Sequence, residues 1–544
     1  MAYLDTYSTL LTDKTAAHLL RRATFGPTRS EVSAFVGLSA QDAVNRLIEN
    51  CSAVLTPAPP RDLDNTSPTY GQPFLTLPYN KTKIEIYGRY VNYWWIGLMA
   101  LQNNKPSLLE KLSAFWQNHF VVSSSVVLDY RMTYRYLQLI RTRALGNFRT
   151  LAVEMTTDPG MLIFQNGNEN VKGRPNENYA RELQELFVVG EKDFYGNKNY
   201  TEDDVRAAAR ALTGWQVINH RAANSLTFGS AFTPDRHDES NKVFSSYYGN
   251  QVITGRSGPE AGPAELLDLI NMLLSHKESP KYICRELYRW FVNTDVTQDI
   301  EDNVIVPLAT FFASAENDFK IEPVLRRLLS SNIFFAEINR GAIIKSPAEW
   351  TIGLLRFFQQ PVPDMTTEYD AFKNYSRYIF EELNSLQYII LDQPSVFGYP
   401  PYYLTGYSDN WINGATLGTR NLISNKLIYP YVNIKAGYVI GIDFVGWITS
   451  LQPNFSDVAG TAAITCEQIY DEFVKYLFAT DLNEAQKNFL IDNAMMKGLT
   501  RQNWIREWNN YRTTPGKPEY RAVILYRGQQ LMRQMLRMAE YQMC

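Results

Sequence analysis

Thr201-Glu202-Asp203-Asp204-Val205-Arg206-Ala207-Ala208-Ala209-Arg210-Ala211-Leu212-Thr213-Gly214-Trp215 spells a helix from its first residue. Thr201 is an N-cap, whose hydroxyl accepts from a first-turn N–H, and three acids follow at the positive end of the helix dipole. Val205, Ala208, Ala211 and Leu212 recur at helical spacing and form the inward face. The alanines leave room for a second helix to approach closely. At 100° per residue, Asp204 stands about 40° from Ala208 and leans toward the core, while Asp203 points away.

Working outward, the same grammar repeats. A helix is expected over 176–189, closed by Gly190. Ser107 and Glu110 have capping-box spacing and open a helix through Phe120. Further helical periods cover 15–23, 39–48, 84–101, 129–143, 148–155, 263–274, 281–293 and 347–358, with others down to 521–543. Two stretches interrupt them. Pro57, Pro59, Pro60, Pro68, Pro73 and Pro78 make 56–82 an extended arm, and 392–411 is a long loop rich in Pro, Gly and Tyr. Helical periodicity is also lost over 219–262, where one small β-hairpin around 228–254 is the only β-structure expected. The fold class is therefore mainly α: a large multi-helical body with long loops. Its expected parts are N-terminal helices (1–55), a proline-rich arm (56–83), a helical core (84–359) and a continuous C-terminal helical part (360–544).

Composition agrees. Among 544 residues, 45% are hydrophobic and 20% charged, as in an average globular chain. The 53 Lys and Arg against 56 Asp and Glu leave a net charge of −3, with no field to recruit nucleic acid. Cys51, Cys284, Cys466 and Cys544 lack zinc-ligand spacing and read as buried free thiols. No signal-peptide pattern is visible over 1–14, and Lys435 and Asp443 interrupt the most apolar stretch, so no transmembrane segment is expected.

Several separated segments carry a resemblance. They include His18-Leu19-Leu20-Arg21-Arg22, Phe115-Trp116-Gln117-Asn118-His119-Phe120, Asn176-Glu177-Asn178-Tyr179-Ala180-Arg181-Glu182-Leu183 and Ala211-Leu212-Thr213-Gly214-Trp215. Arg236-His237-Asp238, Lys345-Ser346-Pro347 and Gln393-Pro394-Ser395-Val396-Phe397-Gly398-Tyr399-Pro400 complete the set. In this order they resemble a large bacterial family catalogued as domain of unknown function number eighteen hundred. The resemblance implies no reaction. It implies a sulfatase-like, frequently exported protein as partner, and with it an extracytoplasmic role. Gln117 stands where many relatives have a second histidine, and Tyr399 where a tryptophan is common.

Four places hold residues able to do chemistry. His119 falls in the middle of the apolar stripe formed by Leu108, Leu109, Leu112, Phe115 and Trp116, where an imidazole needs polar partners or serves as a metal ligand or base. Glu182 lies at the core boundary of its helix, with Arg206 and Arg210 as available partners, whereas Arg181 and Glu185 are spaced for an exposed pair. Asp204 leans inward. His237-Asp238 is a loop dipeptide suited to zinc, manganese or iron. The first functional reading brings these together as a metal-assisted hydrolase, with His119, Glu182, His237 and Asp238 on the metal and Glu182 and Asp204 moving protons. The second is a non-catalytic binding or assembly protein, in which the same groups are structural networks. Its recognition surface is the Tyr399, Tyr402, Tyr403, Tyr407 and Trp411 cluster, a platform for carbohydrate or peptide.

Overall fold

The computed structural model describes residues 3–101, 105–223 and 225–544. Met1 and Ala2, the first residues of the segment read for a leader, lie outside them. The fold is mainly α-helical, 57% helix with a few small two-stranded sheets. The deciding segment folds as its caps dictate. Thr201 Oγ1 accepts from the Asp204 N–H and the Thr201 N–H donates to Asp204 Oδ2 at 2.8 Å, starting helix Glu202–Ala211. One hydrophobic cluster runs through the molecule, with members from Leu4 to Tyr541. The four cysteines are free and buried. Among the described residues no helix is long and apolar enough to cross a membrane.

Polar side chains fasten distant helices across this core. Arg21, on helix Asp13–Ala23, donates to the carbonyl of Phe478 at 2.7 Å, just beyond helix Cys466–Leu477. A helix end leaves such carbonyls without intrahelical partners, so the guanidinium joins segments 457 residues apart while satisfying them. Arg285 bridges Glu278 and Glu301 at 2.7 Å each, and Arg356 holds Glu31 at 2.8 Å. Pairs this deeply buried largely offset their own desolvation, but losing one partner strands a charge.

Several local expectations are corrected. Helix Leu109–His119 has Leu108 as its N-cap, with no side-chain cap. Glu110 instead accepts from Trp95 Nε1 and Arg141 Nη2, each at 2.8 Å, because burial gives its carboxylate stronger partners than a helix end. The helix read over 176–189 is helix Asn178–Glu182 followed by a π-helical turn, Leu183–Val188. Arg181 pairs with Glu202 at 2.6 Å, while Glu185 accepts from Tyr200. β-Structure is not confined to 228–254. Trp215–Ile218 pairs antiparallel with Gly229–Phe232, and Lys242–Val243 with Val252–Ile253. A third pair, Asn433–Lys435 with Tyr438–Val439, turns at Gly437, whose φ is +74°. These ribbons are too short for their periodicity to register.

Candidate functional site

Two of the segments that carry the resemblance, 115–120 and 393–400, meet at one cavity. Helix Leu109–His119 supplies its floor with Lys111, Phe115, Asn118 and His119. The tyrosine-rich segment crosses above it and is locked down by two amide side chains. Gln117 Nε2 donates to Gln393 Oε1 at 2.6 Å, and the Tyr399 N–H donates to Asn118 Oδ1 at 3.0 Å. Gly398, with φ +89°, lies so close that a β-carbon would overlap the Asn118 amide. Gln117, the residue in the place of a second histidine, therefore holds the loop rather than a ligand.

The π turn contributes next. Its last carbonyls lack intrahelical donors, so Phe187 O accepts from His119 Nε2 at 2.8 Å and Leu186 O from the Tyr282 hydroxyl at 2.7 Å. This settles the imidazole tautomer: the proton is on Nε2, and Nδ1 keeps its lone pair. Nδ1 has no hydrogen-bonding partner among the described residues. His119 is 8% exposed, and Phe115, Trp116, Phe120, Phe187 and Tyr282 surround it with ring centroids 4.8–6.2 Å away. Burial among these rings pulls its pKa down to about 4, against the smaller upward pull of the Phe187 carbonyl. His119 is a neutral acceptor at ordinary pH.

Helix Ser279–Phe291 forms the far wall. Trp290 packs on Phe115 and Tyr402 at 5.5 and 4.7 Å between ring centroids, and Tyr402 packs on Trp411 at 5.6 Å. Arg289 donates to Glu286 at 2.8 Å and lies over the Tyr407 ring, while Lys111 pairs with Glu349. Trp290 Nε1 and Arg289 Nε are fully buried donors without a partner among the described residues. The cavity volume is about 90 Å³. Of the tyrosine-rich cluster, Tyr399 and Trp411 are buried, whereas Tyr403 and the neighbouring Phe397 reach solvent.

The other sequence candidates stand elsewhere. Glu182 is half-buried and makes no hydrogen bond or ion pair with a described residue; burial, then the charge of Glu185, raises its pKa to about 7. Its expected partners are engaged differently, Arg206 with Asp203 and Arg210 with Asp238. Asp204 is fully buried and, besides capping its own helix, accepts from the Ser245 N–H at 2.7 Å and hydroxyl at 2.8 Å. His237 Nδ1 lies 2.9 Å from the Thr213 carbonyl and Nε2 lies 3.1 Å from Glu265 Oε1, while Lys242 pairs with the other Glu265 oxygen. Asp238 has its pKa drawn down to about 2: burial opposes ionisation, but Arg210 and Ser240 outweigh it.

Asp204, His237 and Asp238 thus fasten the irregular segment after Trp215 to helices Glu202–Ala211 and Ala261–Ser275. None of them, nor Glu182, lines the His119 cavity. Among the described residues, no group of three or more His, Cys, Asp and Glu side chains is arranged to hold a metal ion. Sequence reasoning missed Trp290, Arg289 and Glu286, whose helix carries no special spacing. It also missed Glu349, whose only signal is its place three residues after Ser346 in a capping box.

A family model described as "Protein of unknown function (DUF1800)" matches residues 18–543. No curated protein and no solved structure is significantly similar to the chain.

Proposed function

We propose, from the premise that this chain belongs to the DUF1800 family of proteins of unknown function, that it is a non-catalytic binding protein whose cavity over His119 takes a small polar ligand. One observation carries this reading: the buried, neutral His119 ring lines an aromatic cavity, and its Nδ1 acceptor has no partner among the described residues. Buried polar groups without partners cost stability, and binding sites are where that cost is commonly retained. The metal-assisted hydrolase needs three or four ligands about one point, whereas Asp204 caps its helix, Asp238 pairs with Arg210, and Glu182 lies outside the lining of the His119 cavity.

The test uses the full chain with histidine side chains isotopically labelled, of which there are only five. A library of small polar compounds is screened by thermal shift, and hits are checked on the His119 ring nitrogens. Supporting hits move the Nδ1 resonance and lose their effect in His119→Phe. If no compound moves that resonance, and His119→Phe alters stability alone, the cavity is packing and the proposal falls.

A further inference from the structure

We infer that the ligand is an uncharged hydroxylated ring of the monosaccharide class, with one hydroxyl on His119 Nδ1. This inference rests on the cavity being a binding site. The charges are the first constraint. Lys111 and Arg289 are the cations on the wall, and each already has a carboxylate, Glu349 and Glu286. An anionic or cationic ligand would enter without a counter-ion, and an unpaired buried charge is strongly unfavourable. The ligand is therefore neutral.

Hydrogen bonding is the second constraint. Because Phe187 O takes the Nε2 proton, Nδ1 accepts only, and the ligand must donate to it. A hydroxyl donates without bringing a charge. Shape is the third constraint. Trp290, Phe115, Tyr402 and Trp411 line the cavity with ring surface, which suits the C–H face of a pyranose. A peptide is the competing ligand. Recognition of an extended peptide draws on exposed backbone N–H and C=O groups along a strand edge, and no residue of the three sheets lines this cavity.

The probes are methyl glycosides of the common hexoses, pentoses and N-acetylhexosamines, short neutral peptides, and inorganic phosphate. Each is titrated into the full chain by calorimetry and followed on the labelled histidines. A glycoside is expected to bind saturably and to move the His119 Nδ1 resonance. Its affinity should fall about tenfold in His119→Phe, which keeps a ring and removes the acceptor. His276→Gln, a histidine outside the cavity lining, should leave the affinity unchanged. Binding of peptide or phosphate instead, with dependence on His119, would overturn the sugar assignment and keep the cavity. Glycoside binding indifferent to His119 would overturn the assignment to this site. Absence of binding by every probe overturns the sugar assignment, and the broader compound screen then decides the fate of the cavity separately.

Discussion

Replacing Asp158 by Asn should stabilise the protein at neutral pH, and the gain should disappear in acid. Asp158 caps helix Pro159–Phe164: its Oδ1 accepts from the N–H groups of Gly160 and Met161 at 2.9 and 3.2 Å. Its other oxygen is buried with no partner among the described residues. Burial therefore dominates the carboxyl, and its pKa rises from 3.8 to about 6 despite those two hydrogen bonds. The sign follows from proton binding. Between these values the folded protein holds a proton that the unfolded chain has released, so the Asp158 contribution is greatest below the unfolded pKa and is lost as pH rises through about 6.

At ~1.4 kcal/mol per pH unit, the loss above that window is about 3 kcal/mol, falling to about 1 kcal/mol near pH 4.5. Asparagine keeps the capping oxygen and cannot ionise. Urea denaturation followed by circular dichroism, run on both proteins between about pH 4.5 and 8, should show the gap between wild type and Asp158→Asn open steadily as pH rises and level off above about pH 7. A gap independent of pH, or a variant less stable at neutral pH, would refute the argument, because the ionised cap would then be favourable in place.

Three further outcomes follow from the same reasoning. His119, whose pKa is lowered to about 4, stays neutral while the unfolded chain takes up a proton below the ordinary histidine value of 6.5. Stability is therefore lost as pH falls from about 6.5 toward 4, and His119→Phe should flatten that part of the curve by about one proton's slope. Gly398→Ala must place a β-carbon on the Asn118 amide at a positive φ; a cost of about 1–3 kcal/mol is expected, and unchanged thermal melting would contradict the docking of the loop. Lys242→Met leaves the fully buried Glu265 carboxylate without its ammonium partner. A loss of about 3–5 kcal/mol should accompany it, with proteolysis beginning in the segment after Trp215; a loss below about 1 kcal/mol would mean that this buried pair does not hold the segment.

The sequence by itself determined the helices, because capping and periodicity act over one or two turns. Thr201 and Asp204 form the reciprocal cap their spacing implies, and Val205, Ala208 and Ala211 are buried together. It also determined that His119 faces inward, since an apolar stripe on a helix has one place to go. What the inward groups meet was decided by tertiary structure alone. Asp204 and His237 are both buried, but their partners, Ser245 and Glu265, lie 41 and 28 residues away along the chain. Helical spacing carries no information at that range. The cavity over His119 depends on longer links still: Gln117 with Gln393, the π turn that turns the Phe187 carbonyl toward the imidazole, and Trp290 set against Tyr402. Each is a contact between elements whose local codes are complete without it, which is why only packing could bring them together.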